Sequence, residues 1–459
     1  MLMATLIVFG LYVMIQIAYL FYPLFSVKKS ENSVRLDKEK GISVIIPAFN
    51  EEQIILNSLQ GIINLKYSNY EVIFVNDGSS DNTLSLLHSH LDLQPVELVP
   101  ASKISHNEIN QIYQSGISPK IYLIDKENGG KADALNAGIE YASKELIVTL
   151  DADSMLDPLS LCEVNSAFQK ETVIAGGGLV QITQGFTGNF LYLRPSFKTK
   201  GIIRYQILQY LTAFYLHKMT QSKLKSIIVI AGAFGAFRKQ VLFDVNGYRK
   251  TVGEDMDITL KIHRLIKTTR KYRKSTLAFI PRAICYTECP STLKELVQQR
   301  IRWQKGFIDC VIHFRRDFFQ KLGFRVSFML LFEYLLLGTL NAFPTAMIPI
   351  MLLIYPDNYM VAVALFSTTA FLSIYQGFIT LIVAARFGSK YSFKQLIKVL
   401  LFIPVETITY RLLGLVFVIS GTIMYMVNKN SWHVTKRTGQ NTVAPPNPVP
   451  AETSNSHVI

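Results

Sequence analysis

Two aspartates directly follow an apolar run in the segment "LIVTLDADSML" (residues 146–156). Side chains alternate along a strand, so Asp151 and Asp153 are expected to point to the same side. Two close carboxylates repel each other unless a cation lies near them, and Mg²⁺ or Mn²⁺ that also holds a diphosphate would suit this pair. The alternative is a strand that ends in a turn with two solvated acids.

Two further motifs follow other apolar runs. In "VNDGSSDNT" (75–83), Asp77 could accept hydrogen bonds from a base or a ribose; the alternative is a turn with an N-cap from Ser80 or Asp81. In "NGGKADALNAG" (128–138), the glycines allow close backbone approach, and Lys131 near a helix N-terminus suits a phosphate. The alternative is a capped helix with an exposed lysine. The Walker A pattern is absent, which excludes a P-loop.

A third group of acids opens a helical pattern in "TVGEDMDITLKI" (251–262). Acids are common in a first helical turn because of the helix dipole, but Glu254, Asp255 or Asp257 could also serve as a general base toward an acceptor hydroxyl. Just before them, "IAGAFGAFRKQ" (230–240) combines small residues with phenylalanines. It predicts either a core strand or a smooth surface for a sugar ring.

One of only two tryptophans lies in "VQQRIRWQKG" (297–306). On a helix, Gln299, Arg302, Trp303 and Gly306 would share one face. Arg300 and Lys305 would then point elsewhere, toward lipid headgroups. The alternative for the tryptophan is an interfacial membrane anchor.

The elements that must position these motifs alternate between strand and helix over residues 40–160, as in a βαβ arrangement. Strands are predicted at 42–47, 71–75, 121–124 and 145–150, with Asn50 capping the first helix. Residues 88–118 are predicted to be an irregular surface excursion. The motifs fall at the carboxyl ends of the strands, where doubly wound sheets bind ligands.

Composition locates the rest of the chain at a membrane. Residues 2–25 carry no charge, and apolar stretches recur at 328–354, 360–385 and 412–428. Lys28 and Lys29 predict a cytoplasmic location for the residues that follow. Residues 396–410, with Pro404, predict an interfacial or broken helix. The link 355–358 is short, and the tail from residue 441 is predicted to be disordered.

The net charge of +14 fits basic flanks of membrane spans and a cleft for a phosphorylated substrate. Nucleic-acid binding is not expected, because no Lys/Arg run with interleaved aromatics occurs. The four cysteines lack a zinc-ligand spacing and are predicted to be reduced thiols.

The motifs "SVIIPAFNEE", "VNDGSSDNT", "GGKADALNAG", "DAD", "GAFGAF", "GED" and "QQRIRW" occur in an order that resembles the membrane-embedded family 2 glycosyltransferases, which include cellulose, hyaluronan and chitin synthases. The resemblance covers residues 42–306 and looks most like the poly-β-1,6-N-acetylglucosamine synthase branch. Two departures are the single N-terminal span, where two are expected, and Asn76, where many relatives have Asp.

The resemblance implies an α/β fold: a GT-A-type, Rossmann-like nucleotide-sugar domain with a mixed, mostly parallel sheet, inserted between transmembrane helices, with amphipathic interfacial helices. The implied division is an N-terminal transmembrane helix (1–27), a cytosolic glycosyltransferase domain (40–290), interfacial helices that carry QxxRW (291–325), transmembrane or interfacial helices (326–428) and a tail (429–459).

The resemblance also implies the site. Donor binding falls to Pro47, Ala48, Glu51, Asp77, Lys131, Asp151 and Asp153, with the metal, Mg²⁺ or Mn²⁺, on Asp153. Catalysis falls to Asp255 as base and to Arg302, and acceptor binding to Phe234, Gly235, Glu254, Gln299 and Trp303. The implied partners are a UDP-sugar, a growing polysaccharide, the bilayer of the plasma or inner membrane and accessory membrane or export subunits.

The implied reaction is processive and inverting, and gives a β-linked polymer. A single-transfer enzyme acting on a lipid-linked acceptor is the alternative, and a non-catalytic export subunit is a further one. Glu333 and Arg411, inside apolar stretches, could line a path for the polymer, or they could pair within the helix bundle or snorkel to an interface.

Overall fold

A computed structural model describes residues 2–26, 38–189, 192–355 and 359–428. Lys28, Lys29, most of the short link at 355–358 and the tail from residue 441 lie outside the described residues.

A mixed sheet forms the centre of the domain between the apolar helices. In chain order the strands of the described residues are β1 (Ile42–Ala48), β2 (Tyr70–Asp77), β3 (Leu93–Pro95), β4 (Ile109–Ser115), β5 (Ile121–Lys126), β6 (Leu146–Leu150), β7 (Ser154–Leu156), β8 (Val173–Ile182), β9 (Phe186–Thr187), β10 (Arg194–Pro195), β11 (Phe234–Arg238) and β12 (Thr276–Thr287). Ten of them pair in the order β3-β4-β5-β2-β1-β6-β11-β8-β12-β7, while β9 and β10 form a separate ribbon.

The middle of the sheet is parallel. Strands β5, β2, β1 and β6 run in the same direction, and β11 is antiparallel to both β6 and β8. The carboxyl ends of the parallel strands therefore meet at one edge, which confirms the predicted α/β fold with a mixed sheet.

The segment 88–118 is more ordered than the sequence predicts. Strand β3 pairs antiparallel with β4, and β4 pairs antiparallel with β5, so both extend the sheet at its edge. In β4 only Ile112 and Ser115 are buried, and the polar residues Gln111 and Gln114 are partly exposed. A partly exposed strand near the edge of the sheet lacks the continuous apolar run that marks the central strands, which explains the error.

The helices of the described residues are α1 (Leu2–Ser26), α2 (Ile55–Ile63), α3 (Thr83–Leu91), α4 (Lys131–Tyr141), α5 (Ser160–Phe168), α6 (Gly201–Thr212), α7 (Met219–Leu224), α8 (Lys239–Asp244), α9 (Glu254–Thr268), α10 (Leu293–His313), α11 (Gly323–Phe328), α12 (Ala342–Ile354), α13 (Tyr359–Arg386) and α14 (Phe393–Val427). Two π-helical stretches, Ala213–Lys218 and Met329–Leu340, connect α6 to α7 and α11 to α12.

Both faces of the sheet are buried. In β1, Val44 and Ile46 join one apolar cluster and Ile45 joins the cluster on the opposite face, because side chains alternate along the strand. Burial on both faces accounts for the nearly continuous apolar sequence of this strand. The four cysteines, Cys162, Cys285, Cys289 and Cys310, are buried and unpaired, as the sequence predicts for reduced thiols.

Three segments among the described residues are long and apolar enough to cross a membrane: Gly323–Ile354, Tyr359–Arg386 and Phe393–Val427. The third segment corrects the prediction of a broken helix at 396–410, because α14 continues through Pro404 without a break. Neighbouring helices and local adjustments can satisfy the backbone group that a proline frees, so proline need not end such a helix. Helix α1 carries a shorter apolar stretch, Phe9–Phe25.

Contacts within the bundle involve the charged residues of the apolar helices. The Tyr19 hydroxyl lies 2.6 Å from each carboxylate oxygen of Glu333, so α1 and the second π-helical stretch are joined. This supports the interpretation that Glu333 pairs within the bundle. Arg411 is exposed on the outer surface of α14.

Candidate active site

The ammonium group of Lys131 is the centre of the site. Its Nζ lies 2.7 Å from Asp151 Oδ1 and 3.0 Å from Glu254 Oε1. Lys131 is the first residue of α4, directly after Gly130, whose φ of 91° lies in the region that glycine favours. Burial lowers the pKa of Lys131, but the carboxylates of Asp151 and Glu254 outweigh burial and raise it. The lysine is therefore held protonated between the end of β6 and the start of α9.

Asp255 lies beside this cluster at the start of α9. Its Oδ1 accepts a hydrogen bond from the backbone N–H of Met256 (2.8 Å), and its Oδ2 accepts one from the backbone N–H of Gly232 (3.3 Å). Burial, and then the negative charge of Glu254, raise the pKa of Asp255 to about 6. A carboxylate with this pKa can accept a proton near neutral pH and is a better base than an ordinary aspartate.

Gly232 was not among the predicted site residues. A Cβ at this position would lie 3.1 Å from Lys131 Nζ and 3.5 Å from Asp255 Cβ, so glycine leaves room for both side chains. The signal in the sequence was the run of small residues in "IAGAFG". Within that run, only Phe234 and Gly235 were predicted to be site residues.

Phe234 and Gly235 lie in β11, inside the sheet. The Phe234 ring is fully buried at 0% exposure, and a Cβ on Gly178 would collide with it. A Cβ on Gly235 would meet the Phe237 ring at 2.7 Å. The core-strand alternative is therefore correct for these two side chains, and the predicted smooth surface for a sugar ring is wrong here.

Asp153 follows Asp151 at the end of β6 and is partly exposed. Its Oδ1 accepts hydrogen bonds from the hydroxyl groups of Ser154 (3.0 Å) and of Thr287 at the end of β12 (3.2 Å). No group of three His, Cys, Asp or Glu side chains within the described ranges could hold a metal ion. Mg²⁺ and Mn²⁺ need no such cage when a substrate diphosphate supplies the other oxygens, so a single carboxylate at the rim fits either ion.

Asp77 organises the turn that precedes Lys131. Its Oδ1 accepts hydrogen bonds from Lys126 Nζ (2.9 Å) and from the Gly129 N–H (3.0 Å), and its Oδ2 accepts one from the Gly130 N–H (2.7 Å). Asp77 is only 2% exposed. Its contacts therefore hold the glycine turn, whereas the prediction was a contact to the nucleotide.

Lys126 was also missed. It is 0% exposed and pairs with Asp77 and, at 2.6 Å, with Asp133. A buried ammonium is stable only where carboxylates and acceptors surround it, as here. Its position at the end of the strand "IYLIDK" is the signal that would have found it.

Hydrogen bonds join the loops after β1 and β2 beside Asp77. The Glu51 N–H donates to Thr83 Oγ1 (2.8 Å), and Asn50 Oδ1 accepts a hydrogen bond from the Ser80 N–H (2.8 Å). Asn50 therefore does not cap α2, which begins only at Ile55; with a φ of 56°, Asn50 forms part of the turn instead. Glu51 lies in this loop, while Pro47 and Ala48 end β1 beside Val75 and Asn76 of β2.

The QxxRW residues lie on α10, as predicted. Trp303 is 43% exposed, Gln299 is buried with no partner for its Oε1, and Arg302 is partly exposed. The Arg300 guanidinium stacks on the Trp303 ring, 4.2 Å from its centroid. Trp303 is thus a partly exposed aromatic surface supported by an arginine.

The prediction that Lys305 points toward lipid headgroups is wrong. It is 2% exposed, and its Nζ donates to the backbone carbonyl of Asn428 (2.7 Å), so it faces the protein rather than lipid headgroups. Gly306 packs against Gly253, the residue before Glu254: a Cβ on Gly306 would lie 2.9 Å from the Gly253 Cα. The structure therefore brings the QxxRW helix against the start of α9.

The end of β6 and the starts of α4 and α9 thus bring Lys131 together with Asp151, Glu254 and Asp255, beside the turn that Asp77 holds. Residues 146–375, half of the chain, match the family model "Glycosyl transferase family group 2", and residues 43–244 match "Glycosyl transferase family 2". This chain belongs to the family 2 glycosyltransferases.

Curated relatives of this glycosyltransferase include the poly-beta-1,6-N-acetyl-D-glucosamine synthases of Staphylococcus aureus (strain COL), 29% identical over 309 residues, and of Staphylococcus epidermidis, 30% identical over 311 residues. Each match covers 66% of this chain, and the chain spans 63% of the length of each relative. The mannosyltransferase PcManGT from Pyrobaculum calidifontis, solved with GDP-Man and Mn2+, shares the fold with a TM-score of 0.50 and 16% identity, covering 92% of this chain and 100% of its own.

The raised pKa of Asp255 predicts an acid limb in the activity of the glycosyltransferase. Below about pH 6 the carboxyl is protonated and cannot accept a proton. If Asp255 is the catalytic base, kcat/KM should increase about tenfold for each unit of rising pH and level off above pH 6. The measurement is a pH profile of kcat/KM for sugar transfer by the full-length protein.

The control is Glu254→Gln, which removes the second cause of the raised pKa of Asp255 and should move the limb to lower pH. A wild-type limb centred near the ordinary aspartate pKa of about 4 would contradict the assignment.

Proposed function

We propose that this glycosyltransferase extends a polysaccharide at a membrane by transferring sugar from a UDP-sugar with inversion, and that its product is of the poly-N-acetylglucosamine type. The observation that carries the proposal is the Lys131 cluster, in which a protonated lysine lies between Asp151 and Glu254 beside the raised-pKa carboxyl of Asp255. The product class is taken from the curated relatives, which are named as synthases of that polymer.

The donor would bind across the ends of β1, β2 and β6. Lys131 and the turn before it suit the diphosphate, because an ammonium and a helix N-terminus both favour negative charge. Asn76, 1% exposed, leaves its Oδ1 without a hydrogen-bond partner beside Asp77, which supports an acceptor position for the nucleobase. The backbone of Pro47 and Ala48, with Glu51, would line the same pocket, and Asp151 would contact the nucleotide.

The acceptor hydroxyl would lie within hydrogen-bond reach of Asp255. Asp255 takes the hydroxyl proton, and the oxygen forms its bond to the anomeric carbon from the face opposite the diphosphate. The bond from that carbon to the diphosphate oxygen breaks, and its electron pair leaves on UDP. Lys131 and Arg302 would stabilise the charge that develops on the leaving group. One displacement inverts the centre, so an α-linked donor gives a β-glycoside.

A divalent ion, Mg²⁺ or Mn²⁺, fits this site on Asp153. When bound, it would neutralise charge on the diphosphate. Ser154 and Thr287 orient the Asp153 carboxylate by their hydrogen bonds. The Mn2+ in the mannosyltransferase of similar fold supports the same class of ion.

The acceptor end of the polymer would lie along α10. Trp303 offers an apolar platform to a sugar ring, Gln299 presents an unsatisfied Oε1 nearby, and Glu254 could hold an acceptor hydroxyl. The apolar helices that follow α10 support a multi-pass protein of the plasma or inner membrane, with residues 40–290 as its cytosolic catalytic domain and 291–325 as its interfacial part.

The first test is the base. Asp255→Asn should lower polymer synthesis from UDP-N-acetylglucosamine about 10²- to 10⁴-fold, because the amide cannot accept the proton. Binding of UDP, measured by calorimetry, should stay near that of the wild-type protein. The product of the wild-type protein is identified with linkage-specific hydrolases. Polymer formation by Asp255→Asn at the wild-type rate would refute the mechanism.

The second test concerns the metal. Chelation with EDTA should abolish transfer, and Mg²⁺ or Mn²⁺ should restore it, because the ion neutralises the diphosphate. Asp153→Asn should raise the metal concentration needed for half-maximal rate about tenfold or more. Calorimetric titration of each protein with UDP in the presence of Mn²⁺ should show weaker binding for Asp153→Asn than for the wild-type protein. Equal metal requirement in both proteins would place the ion elsewhere.

The third test separates a polymerase from a single-transfer enzyme. Trp303→Ala should shorten the products more than it slows the first transfer, because the platform holds a chain between additions. Trp303→Phe, which retains an aromatic face, is the matched control. A wild-type protein whose products end after a single sugar would favour the single-transfer alternative.

A further inference from the structure

A buried ionic network lies behind the base. Asp257, two residues after Asp255 and 0% exposed, receives a 2.7 Å hydrogen bond from Arg249 Nε to its Oδ1. The same guanidinium donates through Nη2 to Asp309 Oδ2 at 2.8 Å. Arg249 thus bridges a carboxylate of α9 and a carboxylate of α10, the two helices that carry Asp255 and the QxxRW residues.

Asp309 is contacted by three residues from two other parts of the chain. Besides Arg249, it accepts a 2.8 Å hydrogen bond from Thr251 Oγ1, in the loop before α9. Tyr425 OH, near the end of α14, lies 3.3 Å from its other oxygen. Asp309 is 6% exposed, so this carboxylate depends on those partners for its charge.

The backbones of α9 and α10 are closely packed beside the network. Gly253 and Gly306 are in direct contact, and a side chain on either would collide with the other. One turn beyond Gly306, Cys310 Sγ donates to the Gly253 carbonyl at 3.5 Å. The distance between the start of α9 and the middle of α10 is therefore set by tight packing and by the Arg249–Asp309 contact together.

We propose that Asp309 is a positioning residue for sugar transfer: through Arg249 and Thr251 it fixes the start of α9, and with it Asp255, against the face of α10 that carries Arg302 and Trp303. Through Tyr425 it also ties that arrangement to the end of the last apolar helix. The inference rests on the proposed role of Asp255 as the base. A positioning error of a fraction of an ångström between base and acceptor slows the reaction step without weakening donor binding.

The chain offers a matched control. Asp317, 7% exposed and just after α10, forms an ion pair with Arg264 of α9 at 3.3 Å. This pair also joins α9 to the region of α10, but Arg264 lies more than two turns beyond Asp255. Asp317→Asn should therefore destabilise the protein as Asp309→Asn does, without disturbing the base.

The experiment uses the full-length protein in lipid vesicles with UDP-N-acetylglucosamine. Asp309→Asn should lower kcat about 10- to 100-fold while the donor KM stays within about twofold. Arg249→Lys, which retains charge but not the two-pronged contact, should also lower kcat. Tyr425→Phe, the mildest change, should lower kcat about threefold and covers the case in which Asp309→Asn fails to fold. Asp317→Asn should keep kcat within about twofold, and thermal unfolding of each variant is recorded.

The outcomes separate the two claims. Wild-type kcat in Asp309→Asn, or in Tyr425→Phe where Asp309→Asn does not fold, together with an inactive Asp255→Asn, would overturn the positioning role alone. Equal losses of kcat in Asp309→Asn and Asp317→Asn would also overturn it, because the effect would then be general destabilisation. An active Asp255→Asn would overturn the proposed base, whatever Asp309 does.

Discussion

The contact of one lysine with two carboxylates holds the candidate site together. Asp151 ends a parallel strand, Lys131 begins α4, and Glu254 begins α9 more than a hundred residues later in the chain. Without the ammonium, Asp151, Glu254 and Asp255 would bring like charges close together and repel. The lysine lets acids from distant segments share one edge of the sheet. It also supplies the positive charge that the proposed diphosphate would contact. Burial and the charge of Glu254 raise the pKa of Asp255, and the positive charge of Lys131 lowers it by less than they raise it.

The position of that lysine depends in turn on the buried Asp77–Lys126 pair. Asp77 accepts both N–H groups of the Gly129–Gly130 turn, and Lys126 neutralises its charge in the interior. A rigid turn of this kind presents α4 and Lys131 in one orientation before any ligand arrives, which lowers the ordering cost of binding. In the proposed donor site, Asp77 would therefore act through the backbone that it holds.

The sequence predicts the sheet and the strand-end motifs well, because apolar runs and the residues that follow them are local signals. Its errors share a different cause. Strand β4, next to the edge of the sheet, has no apolar run, and Pro404 breaks α14 only if neighbouring helices fail to compensate. Phe234 looks the same in sequence whether its ring faces the core or a ligand. Lys126 and Asp309 are isolated charges in the sequence, and only the contacts between distant segments give them roles.

The contacts between the end of α14 and α10 include those of Tyr425 with Asp309 and of Asn428 with Lys305. Both anchor points lie on the helix that carries Trp303, within two turns of it. Because Gly306 and Gly253 already touch, α10 cannot move toward α9 to absorb a displacement of α14. Helix α14 and the start of α9 therefore behave as one packed unit with α10. In an enzyme that extends a polymer beside a bilayer, this rigidity would keep the base and the acceptor platform in register through successive transfers.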